Sequence, residues 1–160
     1  MTSRKKPPAA AAHSSGTISV LCVDPVRDDH AGLEAIFDSS PWSFCPDSTW
    51  ALQTCDSLKS ASSILQSHCF SLVLCEHDLR PGTWRELLEL VESLPEPPFV
   101  IVTSRVADER LWAEALNLGA YDVLAKPFDR TEVTRVLSMA WMHWTDRHQV
   151  GLKARAGGAA

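Results

Sequence analysis

The stretch LVLCEHDLRPGTWRE, residues 72–86, decides the fold because it joins a strand, a turn and the start of a helix. Its first four residues are all apolar, which is typical of strands buried on both faces of a parallel sheet. Thr83 and Glu86, three positions apart, form a capping box that begins a helix. Between strand and turn stands Glu76, and a buried carboxylate is costly unless it is paired. The stretch therefore predicts a β-α unit whose strand ends in an acid that needs a partner.

The same alternation of strand and helix occurs five times along the chain. Apolar runs of strand length lie at 18–23, 49–54, 70–76, 98–104 and 121–125. Helical spacing of apolar residues follows each run, at 28–38, at 57–67, from 83 to just before Pro95, at 108–118, and from 129 to about 146. Strands that alternate with helices of this length predict an α/β fold with a parallel sheet covered on both faces.

Length and composition suit one domain between two biased tails. The chain has 160 residues, of which 45% are hydrophobic. Residues 1–16 are basic and then rich in Pro, Ala and Ser, and residues 147–160 end in Gly and Ala. We expect disordered tails over 1–16 and 147–160, and a folded domain over 17–146.

Charge and cysteine usage disfavour several classes of protein. The net charge of −5 argues against binding of nucleic acid by this chain alone. No apolar stretch approaches the roughly 20 residues that a membrane span needs. The five cysteines are odd in number and contain no C-x-x-C pair, so neither a disulfide framework nor a zinc site is supported. This usage predicts a cytoplasmic location.

Polar residues stand where four of the predicted strands end. In open parallel sheets, ligands bind outside the carboxyl ends of the strands. Asp24, Glu76, Thr103 with Ser104, and Lys126 occupy these ends. We therefore expect them to meet at one edge of the sheet, with Lys126 as the partner of Glu76.

These strand ends resemble the receiver domain of two-component response regulators. The resemblance covers residues from about 17 to 146 and is carried by VLCVD, LVLCE, IVTS and, most specifically, YDVLAKPFD. It implies a flavodoxin-like (CheY-like), doubly wound sheet of five parallel strands in the order 2-1-3-4-5 with five helices. It also implies a cytoplasmic module of phosphorelay signalling that is not an enzyme.

The family's residues are carried over one position at a time. Glu76 stands where receivers have the aspartate that accepts a phosphoryl group. Thr103 matches the hydroxyl residue that contacts that group, and Lys126 matches the lysine that pairs with it. Val123 occupies the position of the aromatic switch residue.

The metal-binding acids match less well. The resemblance implies two acids after strand one that hold Mg²⁺, and here only Asp24 matches, because Pro25 follows it. Asp28 and Asp29 could substitute only if the first helix begins unusually close. We therefore expect no cofactor, or weakly bound Mg²⁺ at Asp24.

The replacement of aspartate by glutamate suggests a function without phosphorylation. One extra methylene can displace the carboxylate by about 1.5 Å, and a misplacement of about 1 Å can cost roughly 10²-fold in rate. Our hypothesis is an atypical receiver, a pseudo-receiver that acts by protein contact with Glu76 held by Lys126 and Thr103. One alternative is a conventional receiver that is phosphorylated at Glu76 or Asp78 with Mg²⁺. An enzyme on the same architecture is disfavoured because no Gly-rich phosphate loop, nucleophile elbow or Cys-His pairing is visible.

The partner would be a protein, either a histidine kinase or an output protein, and the sequence does not name it. The resemblance implies contact through helices four and five with strand five, the face that receivers commonly use. The end of helix five is apolar on every side, which also indicates a surface to cover. A homodimer through this face is one form of that prediction. The candidate interface residues are Trp112, Trp141, Met142 and Trp144.

Overall fold

The structure, a computed structural model, describes residues 16–39 and 41–157, with side chains through residue 149. Five strands alternate with five helices, as the sequence predicts. In chain order they are β1 (Thr17–Val23), α1 (Arg27–Asp38), β2 (Thr49–Cys55), α2 (Leu58–Ser67), β3 (Leu72–Glu76), α3 (Trp84–Glu92), β4 (Phe99–Ser104), α4 (Glu109–Asn117), β5 (Asp122–Ala125) and α5 (Arg130–Gly157).

The five strands form one parallel sheet in the order β2-β1-β3-β4-β5. This confirms the flavodoxin-like order that the resemblance to receiver domains implies. All five residues of β3 are buried, whereas β2, at the edge, has exposed positions. The register places Glu76 opposite Thr103 and Ser104 opposite Ala125, so the carboxyl ends of β3, β4 and β5 lie side by side.

Helices cover both faces of the sheet. On one face α2, α3 and α4 contribute Leu65, Leu87 and Leu111 to a cluster of buried apolar residues. On the other face α1 and α5 contribute Leu33 and Leu137 to a second cluster. The sheet between two apolar layers explains why its central strands carry almost no polar residues before their ends.

Side-chain caps fix where four helices begin, and at α2 the N–H of Ser60 donates to Ser57 Oγ at 3.1 Å. The backbone N–H of Glu86 donates to Thr83 Oγ1 at 3.2 Å, and that of Glu132 donates to Asp129 Oδ2 at 2.9 Å. The N–H of Leu111 donates to Asp108 Oδ1 at 2.8 Å. These bonds satisfy N–H groups that have no partner inside the helix. The predicted N-cap of α3, Thr83, is thus confirmed.

Helix α5 is longer than the sequence analysis predicted. It continues to Gly157, so the predicted end near residue 146 was wrong. Residues 147–157 contain no proline and are rich in Ala, Lys, Arg and Leu, whose helix propensities offset the single interior glycine at 151. The predicted N-terminal tail, 1–16, lies outside the described residues except for Gly16.

The segment between α1 and β2 carries an aromatic cluster. Trp42 is fully buried and stacks on Trp50, with ring centroids 4.2 Å apart. Phe37 meets Trp42 edge-on at 5.1 Å, and Trp141 of α5 meets Trp50 at 6.5 Å. This cluster anchors the longest internal loop to the face that α1 and α5 cover.

Within the described part of the chain, no helix combines the length and the apolar character needed to cross a membrane.

Candidate functional site: an acidic cluster around Lys126

Lys126, the residue after β5, stands at the centre of the candidate site. Its Nζ donates to Asp24 Oδ2 at 2.5 Å, to Asp29 Oδ2 at 2.9 Å and to Glu76 Oε2. The lysine side chain is 1% exposed. A buried ammonium is tolerated only when it is paired and hydrogen-bonded, and here three carboxylates supply that pairing.

Two of the carboxylates, at the ends of β1 and β3, are oriented by backbone N–H groups two residues further along the chain. Asp24 directly follows β1, and its Oδ1 accepts the backbone N–H of Val26 at 2.8 Å. Glu76 ends β3, and its Oε1 accepts the N–H of Asp78 at 3.2 Å. The hydroxyl of Thr103, at the end of β4, donates to Glu76 Oε2 at 3.5 Å. The structure thus brings together Asp24, Glu76, Thr103 and Lys126 at this edge, whereas the hydroxyl of Ser104 accepts the N–H of Val106 at 3.0 Å.

The third carboxylate, Asp29, comes from the first turn of α1. Its Oδ1 accepts a hydrogen bond from Arg105 Nη2 at 2.7 Å, while its Oδ2 accepts from Lys126. The Arg105 side chain is 56% exposed, and the Asp29 side chain is 8% exposed. Arg105 directly follows β4, so this pair joins the β4–α4 loop to α1.

From the sequence, Asp29 was expected in the site only if the first helix began unusually close to the first strand, and Arg105 was not predicted. α1 begins at Arg27, three residues after Asp24, which is close enough to direct Asp29 into the site while Asp28 stays exposed. A signal for Asp29 exists in the sequence: it precedes Leu33 by four residues, so it lies on the buried face of the helix. No comparable signal marks Arg105, because it stands in a loop.

The pKa of Lys126 lies well above its usual range. Burial lowers this pKa, but the hydrogen bonds to Asp24, Glu76 and Asp29 raise it by more. The ammonium therefore stays charged at neutral pH. Two cations, Lys126 and Arg105, face three carboxylates, which leaves an excess of one negative charge if all three are ionised.

Two other candidate positions lie outside this cluster of contacts. Val123, at the aromatic switch position, is buried in β5 opposite Val102. Asp78, the alternative acceptor, is exposed and pairs with Arg80 at 2.8 Å; their side chains are 65% and 84% exposed. The carboxylate of Asp78 is therefore directed to a surface arginine, while its backbone N–H supports Glu76.

The four candidate interface residues differ in exposure. Trp112 of α4 and Met142 of α5 are exposed. Trp141 is half-buried and packs against the core, and Trp144 is half-buried and donates its Nε1–H to Pro97 O at 3.1 Å. Trp141 and Trp144 make contacts within the chain. Trp112 also donates its Nε1–H to Asp122 Oδ1 at 3.2 Å, but it and Met142 keep exposed apolar surface that a partner could cover.

The site does not fit a divalent cation as the residues stand. Mg²⁺ needs oxygen ligands at about 2.0–2.1 Å in octahedral geometry. Here the ammonium of Lys126 lies among the carboxylates, and no group of three or more His, Cys, Asp or Glu side chains in the described residues is arranged to hold a metal ion. No chemical step is therefore derived through a metal.

The sequence model of the response regulator receiver domain matches residues 26–138. The curated proteins include none whose sequence matches this chain. The signal receiver domain of an HD-domain-containing protein from Pseudomonas fluorescens Pf-5 is similar in structure, with 23% identity and a TM-score of 0.69, over 81% of this chain and 98% of that one.

Two further solved structures show the same fold. The CheY-like receiver domain protein from Methanospirillum hungatei JF-1 has 15% identity and a TM-score of 0.68, over 82% of this chain and 98% of that one. The beryllofluoride-activated NtrC4 receiver domain dimer has 20% identity and a TM-score of 0.68, over 79% of this chain and 98% of that one. At these identities the structures show the fold, and the match of the family model over most of the chain shows the family. The chain therefore belongs to the response regulator receiver domain family, the signalling modules of two-component systems.

Proposed function

We propose that this receiver domain is a pseudo-receiver, which signals by protein contact and does not accept a phosphoryl group. The observation that carries the proposal is the position of Glu76. Its carboxylate contacts the ammonium of Lys126 and the hydroxyl of Thr103, the two groups that the family resemblance assigns to the phosphoryl group. Glu76 therefore satisfies these groups without modification.

The geometry around Glu76 also disfavours transfer to it. In-line phosphoryl transfer depends on a positioned nucleophile and on cations that neutralise the phosphoryl oxygens. Both oxygens of Glu76 already accept hydrogen bonds from the chain. Lys126 also binds Asp24 and Asp29, so it is not free to receive a new anion.

A second function, that of a conventional receiver phosphorylated at Glu76 or Asp78 with Mg²⁺, is the competing outcome. Asp78 is accessible, which would suit a phosphoryl donor, but its carboxylate pairs with Arg80 outside the acidic cluster. A phosphoryl group on Asp78 would lack the lysine, which is buried and engaged by three other acids. This arrangement favours the pseudo-receiver.

Chemical phosphorylation tests the proposal directly. The full chain is incubated with Mg²⁺ and labelled acetyl phosphate, and any acyl phosphate is trapped by reduction and located by mass spectrometry. We expect no more label in the wild type than in Glu76→Gln or Asp78→Asn, neither of which has a carboxylate at the altered position. Label at Glu76 or Asp78 that disappears in the corresponding variant would establish the conventional function.

For the partner, we propose self-association through α4, β5 and α5. Trp112, Leu118, Met139 and Met142 are large apolar residues on α4, at its end and on α5, with 40–50% of each residue exposed. Where exposed apolar residues form one contiguous patch, that patch commonly marks a contact site. The NtrC4 receiver domain, which is similar in fold, is described as a dimer.

Light scattering over a concentration series tests the dimer. Truncation of a central aromatic residue typically weakens an interface strongly, so we expect Trp112→Ala to raise the dissociation constant by roughly 10-fold or more. Phe44→Ala, which alters an exposed aromatic residue in the loop between α1 and β2, is the matched control. A wild type that stays monomeric at high micromolar concentration would exclude self-association as the output.

A further inference from the structure

We infer that Lys126 and Arg105 close the acidic cluster of Asp24, Asp29 and Glu76, so that this site takes no divalent cation. In this arrangement the chain's own cations stand where a receiver would be expected to hold Mg²⁺. Arg105 thereby ties the β4–α4 loop to α1, and the position of that loop is set by an internal ion pair. The inference concerns the same residues as the proposed function, but it rests on the occupancy of the carboxylates and not on phosphorylation.

Each of the three acids uses both of its oxygens as acceptors. The donors to Oδ1 of Asp24, Oδ1 of Asp29 and Oε1 of Glu76 are the N–H of Val26, Arg105 and the N–H of Asp78. The remaining oxygen of each acid binds Lys126. A metal ion would have to displace these donors to reach the ligand distances that it requires.

The charge of the three carboxylates is largely balanced by the chain's own cations. An unpaired group of three buried carboxylates would attract a divalent cation strongly, because the cluster lies in a region of low dielectric constant. Lys126 is 1% exposed and cannot leave toward solvent without disrupting all three ion pairs. With Arg105 as the second cation, most of the negative charge is neutralised inside the chain. The electrostatic attraction for a divalent cation is thereby much reduced.

The loop that Arg105 begins is held by two hydrogen bonds. Arg105 Nη2 lies 2.7 Å from Asp29 Oδ1, and the neighbouring N–H of Val106 donates to Ser104 Oγ at 3.0 Å. The loop is therefore attached both to α1 and to the end of β4. Val106, which is 70% exposed, is presented at the surface beside this attachment.

Titration with Mn²⁺, which suits carboxylate ligands and is paramagnetic, tests the closure on the full chain. Binding is followed by proton relaxation, and stability is followed by thermal unfolding with and without Mn²⁺ or Mg²⁺. For the wild type we expect no saturable binding at millimolar cation and no shift of the melting temperature. Saturable binding by the wild type that broadens the resonances of Asp24 and Glu76 would overturn the inference.

Variants separate the two cations. Lys126→Ala leaves three acids with one partner, so we expect it to gain saturable Mn²⁺ binding and to melt several degrees higher when the cation is added. If this variant does not fold without metal, recovery of its circular dichroism signal on addition of Mn²⁺ is the expected result. Arg105→Gln exposes one oxygen of Asp29, and we expect weaker but saturable binding. Arg110→Gln, which alters an exposed arginine of α4 with no ion pair among the described residues, should behave as the wild type.

The remaining combinations of results also test the closure of the site. If Lys126→Ala stays unfolded with and without metal, Arg105→Gln alone tests the closure, and its failure to bind Mn²⁺ would overturn the inference. If Lys126→Ala binds Mn²⁺ and Arg105→Gln does not, Lys126 alone closes the acidic cluster and Arg105 has no part in its closure. Failure of the proposed function can be distinguished from failure of this inference, because the two have separate measurements. Acetyl phosphate labelling of Glu76 or Asp78 tests the first, and the Mn²⁺ titration tests the second. Conversely, a wild type that binds Mn²⁺ but takes no label would remain a pseudo-receiver.

Discussion

Lys126 Nζ and Asp24 Oδ2 lie 2.5 Å apart, and the side chain of each residue is 1% exposed. The two residues follow β5 and β1, which are separated in the sheet by β3 and β4. The lysine therefore reaches across the carboxyl edge of the sheet, and it contacts Glu76 at the end of β3 on the way. One buried ion pair thus connects the two halves of the sheet at the site where a receiver would be modified.

Replacement of Lys126 by methionine should destabilise the protein strongly. Removal of one partner from a buried ion pair leaves uncompensated charge and typically costs about 3–5 kcal/mol. We expect a loss of at least this size in the free energy of unfolding, measured by urea denaturation at neutral pH without divalent cations. Lys59→Met, at an exposed lysine of α2, is the control and should change stability by less than about 0.5 kcal/mol. Equal effects of the two substitutions would show that the central ion pair contributes little.

The dependence of stability on pH should report the raised pKa of Lys126. A lysine whose pKa is higher in the folded than in the unfolded protein stabilises the fold fully below its ordinary pKa of 10.5. This contribution is lost as pH rises from that value through the higher pKa of the folded state. We expect the stability difference between the wild type and Lys126→Met to be constant from pH 8 to about pH 10 and to shrink at more alkaline pH. A difference that already falls between pH 8 and pH 9 would contradict a raised pKa.

The fold could be predicted because its signals are local. Apolar runs such as 72–75, helix caps such as Thr83 and strand-end residues such as Lys126 each depend on a few neighbouring positions. Parallel strands bring their ends to one edge, so the approach of Lys126 to Glu76 could be expected without coordinates. The C-terminal end of α5 was harder to predict, because nothing in the sequence after residue 146 ends the helix sharply.

The full ion-pair network could not be predicted because it depends on how elements distant in sequence meet. Asp29 and Arg105 are 76 positions apart, and their contact requires both the start of α1 and the path of the β4–α4 loop. The spacing of Asp29 from Leu33 indicates an inward direction, but it does not show which cation the carboxylate would meet. Loop residues such as Arg105 carry no periodic signal, so only coordinates place them.

The aromatic cluster should make one loop position far more sensitive to truncation than its neighbour. Trp42 is fully buried and stacks on Trp50, whereas Phe44, two residues further along, is 49% exposed. Removal of a buried tryptophan side chain typically costs about 3–5 kcal/mol because a cavity remains. We expect Trp42→Ala to lower the free energy of unfolding by that amount in urea denaturation.

Phe44→Ala is the matched control for this prediction, since it removes an aromatic side chain from the same loop. We expect it to change the free energy of unfolding by less than about 0.5 kcal/mol, as is usual for exposed positions. If Trp42→Ala were as mild as Phe44→Ala, the loop would not be anchored by the cluster that Trp42 forms with Phe37 and Trp50.

Thiol reactivity should distinguish one cysteine from the other four. All five cysteines are free, and Cys69 alone is exposed. Burial raises the pKa of Cys55 to about 11 and the pKa values of Cys22 and Cys75 well above the usual thiol range. Because the thiolate is the reactive form, burial slows these thiols both by excluding the reagent and by keeping them protonated.

At pH 8, a chromogenic disulfide reagent should therefore react rapidly with one thiol in the folded protein and with all five after denaturation. Cys69→Ser should abolish the rapid phase and leave the slow phase unchanged, whereas Cys55→Ser should leave the rapid phase intact. Because the buried thiols become accessible only through opening of the fold, Lys126→Met should accelerate the slow phase about tenfold for each 1.4 kcal/mol of lost stability. Rapid reaction of Cys22, Cys55 or Cys75 in the wild type would contradict the burial of these residues in β1, β2 and β3.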